Sequence, residues 1–223
     1  MRTRLGSTLL SISVALLLAG CLSVRNEVLY TQGDAIHHVG EVLNDSDSVY
    51  RITQVVGTYY DAAGNVVASK SGYTCADVVN PHDVAPFELT IEGSPQVARH
   101  EIAVQGEVVP SVLPTHLALA SADARKDDIG MHVLGSVRNQ GSVPYQYVKV
   151  CIAFYNGSGG VVRTAFTLVG LGELGPGQAG SFDLWAIGLP SEATSVRLWV
   201  DARQPDSSDP IVPISSGSIA LPR

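Results

Sequence analysis

Three cysteines and six histidines are the side chains of this 223-residue chain best suited to nucleophilic, redox or metal chemistry. Cys75 and Cys151 can pair as a disulfide in an oxidising compartment if the fold brings their α-carbons within about 7 Å. Alternatively, each serves separately as a small buried hydrophobe. The histidines are His37, His38, His82, His100, His116 and His132. Neighbours on a strand point to opposite faces, so His37 and His38 do not readily share one ion. No cysteine pair at zinc spacing, HExxH helix or calcium-loop pattern accompanies them, and the expectation is no metal and no cofactor. For hydrolysis, the chain lacks a nucleophile-elbow serine and a glycine-rich phosphate loop. Asp61, Asp77 and Asp83 could be assembled by folding, but each occupies a turn-like stretch where a carboxylate caps backbone groups. The expectation is no enzyme. With 14 basic and 21 acidic residues and a formal charge of −7, nucleic acid is also a poor partner.

Cys21 stands apart because of what precedes it. Arg2 and Arg4, an apolar run over Leu9 to Leu18 and then small residues follow the plan of a secretory signal whose core is too short to be a secure membrane span. Leu18-Ala19-Gly20-Cys21 resembles the lipobox of bacterial lipoproteins. That resemblance implies cleavage before Cys21, a diacylglycerol on its sulfur and an acylated new amino group. Several acyl chains give a stable anchor, since each buried methylene contributes about 0.8 kcal/mol. Leu22 stands where an inner-membrane retention Asp would be, so the resemblance implies the outer membrane if the organism has one. The alternative is an ordinary cleaved signal with an incidental cysteine.

The elements that must position the remaining residues come twice. Shifted by 95, Gly40 to Leu89 matches Gly135 to Leu184 at twelve positions, among them Gly40 with Gly135, Val42 with Val137, Asn44 with Asn139, Tyr60 with Tyr155, Gly64 with Gly159 and Phe87 with Phe182. Two copies of one unit account for this most simply. Val148, Val150, Ile152 and Phe154 alternate with other residues, as one apolar strand face requires. In the first copy Gly57 interrupts the equivalent face and predicts a weakened strand or a bulge. Asp61-Ala62-Ala63-Gly64 and Asn156-Gly157-Ser158-Gly159 read as hairpin turns with a left-handed exit. No stretch after the signal has the length and period of a robust helix. The expected fold is all-β, as tandem immunoglobulin-like antiparallel β-sandwiches after an N-terminal signal segment. Its divisions are a signal over 1–20, a lipidated cysteine and short tether over 21–34, a first domain over 35–108, a linker over 109–116, a second domain over 117–202 and a Pro/Ser-rich surface tail over 203–223.

Gly57-Thr58-Tyr59-Tyr60-Asp61 and Ile152-Ala153-Phe154-Tyr155-Asn156 resemble the signature of FxLYD domains, and Gly40, Val42, Asn44 with Gly135, Val137, Asn139 resemble that family's upstream motif. Both copies depart from it at the first place, where Gly57 or Ile152 replaces Phe. The resemblance implies a small β-sandwich of extracytoplasmic proteins and brings no catalytic residues. What separates the copies is then of interest. Tyr145, Tyr147, Trp185 and Trp199 enrich the second copy in aromatics, which either fill its core or form a partner-binding face. The expected function is a membrane-tethered, non-catalytic module that binds other envelope proteins or cell-wall polymer. The alternatives are a passive structural lipoprotein and an accessory subunit of a secretion or transport system.

Overall fold

The computed structural model describes residues 21–170 and 172–222; the signal segment expected over 1–20 lies outside the described residues. The strands are β1 (Leu22–Gln32), β2 (Ala35–Asn44), β3 (Tyr50–Tyr60), β4 (Val66–Gly72), β5 (Val78–Val79), β6 (Val84–Glu92), β7 (Arg99–Val108), β8 (Leu117–Lys126), β9 (Met131–Asn139), β10 (Tyr145–Asn156), β11 (Val161–Leu168), β12 (Glu173–Leu174), β13 (Ala179–Ala186), β14 (Ala193–Arg203), β15 (Ile214–Ser215) and β16 (Ile219–Ala220). The chain is all-β, with antiparallel sheets packed in sandwich fashion. No helix among the described residues is long and apolar enough to cross a membrane.

The 95-residue repeat holds strand by strand. β1 to β7 and β8 to β14 follow the same order, and the two-residue strands β5 and β12 are offset by 95 to the residue. Each repeat places its second strand between the first and sixth, giving sheets β1-β2-β6 and β8-β9-β13. Each places its third strand between the fourth and seventh, with the short fifth beside it. β15 and β16 extend the second repeat by pairing with β14.

The repeated residues carry this geometry. Gly40 and Gly135 lie under the rings of Phe87 and Phe182, which a Cβ would approach to 3.0 and 2.6 Å. Val42 and Val137 are fully buried between the sheets. Asn44 and Asn139, also fully buried, hold the loop after their strand to the short fifth strand. Asn44 Nδ2 donates to the carbonyls of Ser48 (2.7 Å) and Val79 (3.1 Å), and Asn139 Nδ2 to those of Val143 (2.7 Å) and Leu174 (3.0 Å). Asp61 and Asn156 cap their hairpins through backbone amides, and Gly64 and Gly159 share a φ of 87°.

Several expectations over the flanks are corrected. The tether over 21–34 is largely strand β1, paired along its length with β2. Its period of two is broken by a bulge between Arg25 and Val28, so Leu22 and Val24 face the core of their own repeat while Val28 and Tyr30 face the other repeat. The tail over 203–223 is not merely a surface segment: Ile211 is fully buried, Leu221 nearly so, and β15 and β16 complete a sheet. The linker over 109–116 is tied to it, because Leu113 bridges to Ile211. Gly57 marks no bulge. β3 bulges at Ile52/Gln54 and Tyr59/Tyr60, and Gly57 instead leaves room for the Tyr59 ring.

The repeats pack against one another through sheet faces. Val39 and Val84 of the first meet Cys151, Ala153, Tyr155, Val161 and Trp199 of the second in one apolar cluster. β2 and the centre of β10 are therefore buried on both faces.

Candidate functional site

A polar cluster interrupts the core of the first repeat. His38 points from β2 between the two sheets and is fully buried. Its Nδ1 lies 3.0 Å from Tyr59 Oη on β3, and its Nε2 lies 3.0 Å from Glu27 Oε2 on β1. His100 Nε2, from β7, lies 3.5 Å from the same Glu27 oxygen, and the two imidazoles meet edge to face at 4.5 Å. Glu27 and His100 remain partly exposed, so the cluster opens where the edge strands β1 and β7 face each other. Burial pushes the His38 imidazole down to about 4 despite the opposing hydrogen bond to Glu27. One donor atom each from Glu27, His38 and His100 lies within 4.8 Å of the others. These are the residues that could hold a cation.

The second repeat shows that the fold does not need this cluster. Glu27, His38 and Tyr59 become Ala122, Val133 and Phe154 at the shift of 95, and His100, which pairs with Tyr59, has its counterpart in Val196, which pairs with Phe154. Val133 and Phe154 are fully buried, and Ala122 packs against the same apolar core.

The seam between the repeats is the other chemically distinctive region. Cys75 and Cys151 are joined across it as a disulfide, with α-carbons 5.8 Å apart. Glu41, almost fully buried, accepts from Tyr155 Oη (2.6 Å), Asn26 Nδ2 (2.8 Å) and Arg25 Nε (3.1 Å), so its charge is compensated from both repeats. Asp77 accepts from Lys149 (3.2 Å) and Arg203 (3.3 Å), while its amide donates to Asp201 Oδ2 (3.0 Å). Burial and the Asp77 charge push the Asp201 carboxyl up. Beside these charges one end of the β10 and β11 face is left uncovered by the first repeat. There Tyr147, Phe166 and Leu168 are exposed around Lys149, with exposed Tyr73 of the first repeat across the seam.

No protein-family model and no curated protein matches the chain. Among solved structures, red sea bream transglutaminase aligns over 92% of this chain and 32% of its own, at 10% identity and a TM-score of 0.32. A glycosyl hydrolase family 2 member from Bacteroides cellulosilyticus DSM 14838 aligns over 86% and 29%, at 15% identity and a TM-score of 0.32. A calcium-binding mutant of Bacteroides uniformis beta-glucuronidase 2 aligns over 89% and 28%, at 11% identity and a TM-score of 0.33. The chain spans about a third of the length of these proteins. Likeness at that level assigns no activity to it.

The four aromatics singled out in the second repeat part company. Tyr145 and Trp199 are not partner-binding residues, since they are 0% and 1% exposed. The Tyr145 hydroxyl accepts from the His116 amide at 3.1 Å, and Trp199 fills the seam. Tyr147 and Trp185 are exposed at 68% and 46%, but on different sheets; Trp185 lies on β13 against His132. Cys21 is a free, half-buried thiol directly before β1, with its carbonyl accepting from the Asp45 amide at 2.8 Å. Asp61, Asp77 and Asp83 serve separate places: the first hairpin, the seam, and the amide of Val84. Sequence reasoning missed the convergence of Glu27 and His100 on His38, which come from three separate strands. The available signal was the loss of all three residues in the second copy.

Proposed function

We propose that the chain is a lipid-anchored, non-catalytic binding or scaffold module of the bacterial cell envelope, made of two immunoglobulin-like repeats of FxLYD type. Cys21 carries the lipid, and the two repeats act as one body beside the membrane. The lipobox-like Leu18-Ala19-Gly20-Cys21 supports the anchor, and the conserved strand order of two seven-stranded repeats supports the domain reading. With β1 starting at Leu22, little chain separates the lipid from the folded body, which favours work at the membrane surface over long-range reach.

The single observation that carries the binding role is the uncovered stripe of Tyr147, Phe166 and Leu168 with Tyr73 around Lys149. Large apolar side chains grouped beside a charged seam are the composition of a contact surface, and a passive spacer has no use for them. The partner is another envelope protein or a wall polymer, met through aromatic stacking and the Lys149, Asp77 and Arg203 charges.

A photo-reactive phenylalanine analogue at Tyr147 and another at Trp185, each in the full chain in cells, tests this. The Tyr147 probe is expected to capture a reproducible protein or polymer that the Trp185 probe does not. Equal, diffuse labelling from both positions would contradict a binding role for the stripe.

A further inference from the structure

We propose that Glu27, His38 and His100 form a binding site for one divalent transition cation, Zn2+ being the best match. Two imidazoles and a carboxylate are a common donor set for that ion, with room for a fourth ligand from solvent. The spacing fits. Donor atoms around a tetrahedral zinc with ligand bonds of about 2.0–2.1 Å lie roughly 3.3 Å apart, and the Glu27 oxygen lies 3.0 and 3.5 Å from the two imidazole nitrogens. The Tyr59 hydroxyl at 3.0 Å from Nδ1 leaves Nε2 of His38 as the ligand atom and fixes the ring, as a supporting partner in a metal site does.

Two further observations separate this from a polar pair that happens to be buried. Glu27 and His100 are partly exposed, so the ion has an entry path and its outer position faces water. The second repeat builds the same strand positions from Ala122, Val133, Phe154 and Val196, so the sandwich packs without any of these polar groups. Retaining an imidazole in a dry core is costly unless something uses it. A bound ion would clasp β1 to β2 and, across the open edge of the sandwich, to β7. It would thereby fix the strand that follows Cys21.

Glu27→Ala and Tyr59→Phe introduce residues that the second repeat already carries at those places, and His100→Ser removes a partly exposed ligand. The full chain, purified in detergent and stripped with a chelator, is titrated with ZnCl2 alone by calorimetry at neutral pH. We expect one Zn2+ per chain and a rise in melting temperature with the ion. Glu27→Ala and His100→Ser should each remove stoichiometric binding and that rise, and Tyr59→Phe should weaken binding about 10-fold or more. His132→Ala, which disrupts the group of His132 with the exposed Asp127 and Asp183, should leave binding unchanged. His100 is partly exposed, so His100→Ser keeps the test valid if Glu27→Ala fails to fold. Absence of saturable 1:1 binding by the wild type, retention of binding in His100→Ser, or its loss in His132→Ala would overturn the proposal.

Discussion

Replacing Cys75 and Cys151 together by alanine should destabilise the protein by a few kcal/mol without changing its strand content. The bond closes a segment with a sequence separation of 76. Chain-entropy arithmetic for such a loop gives about 15 cal/mol/K, or about 4.5 kcal/mol at 25 °C, as the upper bound set by the unfolded state. For a chain of this size, each kcal/mol corresponds to about 2–4 °C in melting temperature, so a drop of roughly 5–15 °C is expected. Alanine is preferable to serine at position 151 because Cys151 is fully buried, and a hydroxyl there would add its own desolvation cost. Urea unfolding followed by circular dichroism measures the effect, with the unreduced mass of the wild type as control. A loss below about 1 kcal/mol with an intact wild-type bond would refute the entropic reasoning, since the apolar seam around Cys151 would then hold the repeats together unaided.

Other perturbations address the parts that the two copies share and the parts that they do not. Asn44→Ala and Asn139→Ala each leave buried carbonyls without a donor and should each cost about 2–4 kcal/mol in urea melts, with similar values at the two sites. Gly135→Ala would drive a Cβ into the Ser121 carbonyl and the Phe182 ring and should cost about 1–3 kcal/mol, whereas Gly157→Ala, with no atom in its way, should be near neutral. His38 gives a pH dependence. Its folded value of about 4 lies below the ordinary 6.5, so the unfolded chain takes up the proton first. Its stabilising contribution is therefore complete above about pH 6.5 and declines as pH falls toward 4, by at most about 3 kcal/mol. In chelator, urea midpoints at pH 7.5 and 5 should differ more for wild type than for His38→Val.

The repeat was legible because it rests on residues with few substitutes. A glycine beneath a phenylalanine, an asparagine clasping two carbonyls and a glycine leaving a hairpin at positive φ all stand in one register. From these, the strands Ala35–Asn44 and Met131–Asn139 and both hairpins could be placed closely. β1 could not, because its bulge moves the apolar residues from one face to the other midway and leaves Arg25, Asn26 and Glu27 in what reads as a tether. The tail was obscured by composition: prolines and serines conceal Ile211 and Leu221, whose burial depends on a surface formed much earlier in the chain. The aromatics were ambiguous for a related reason, since exposure is decided by which face packs on the other repeat. Tyr145 did carry a clue, since the shift of 95 aligns it with Tyr50, which is also buried. No local pattern could unite Glu27, His38 and His100, because two sheets must close before they meet.

The anchor is the claim on which the proposed role depends, and the mass of the N-terminal peptide of the protein isolated from membranes tests it most directly. The expected species is a chain beginning at Cys21 that carries a diacylglyceryl group on sulfur and an acyl group on its amine. A mature chain beginning elsewhere, or one in which Cys21 is unmodified, would contradict it.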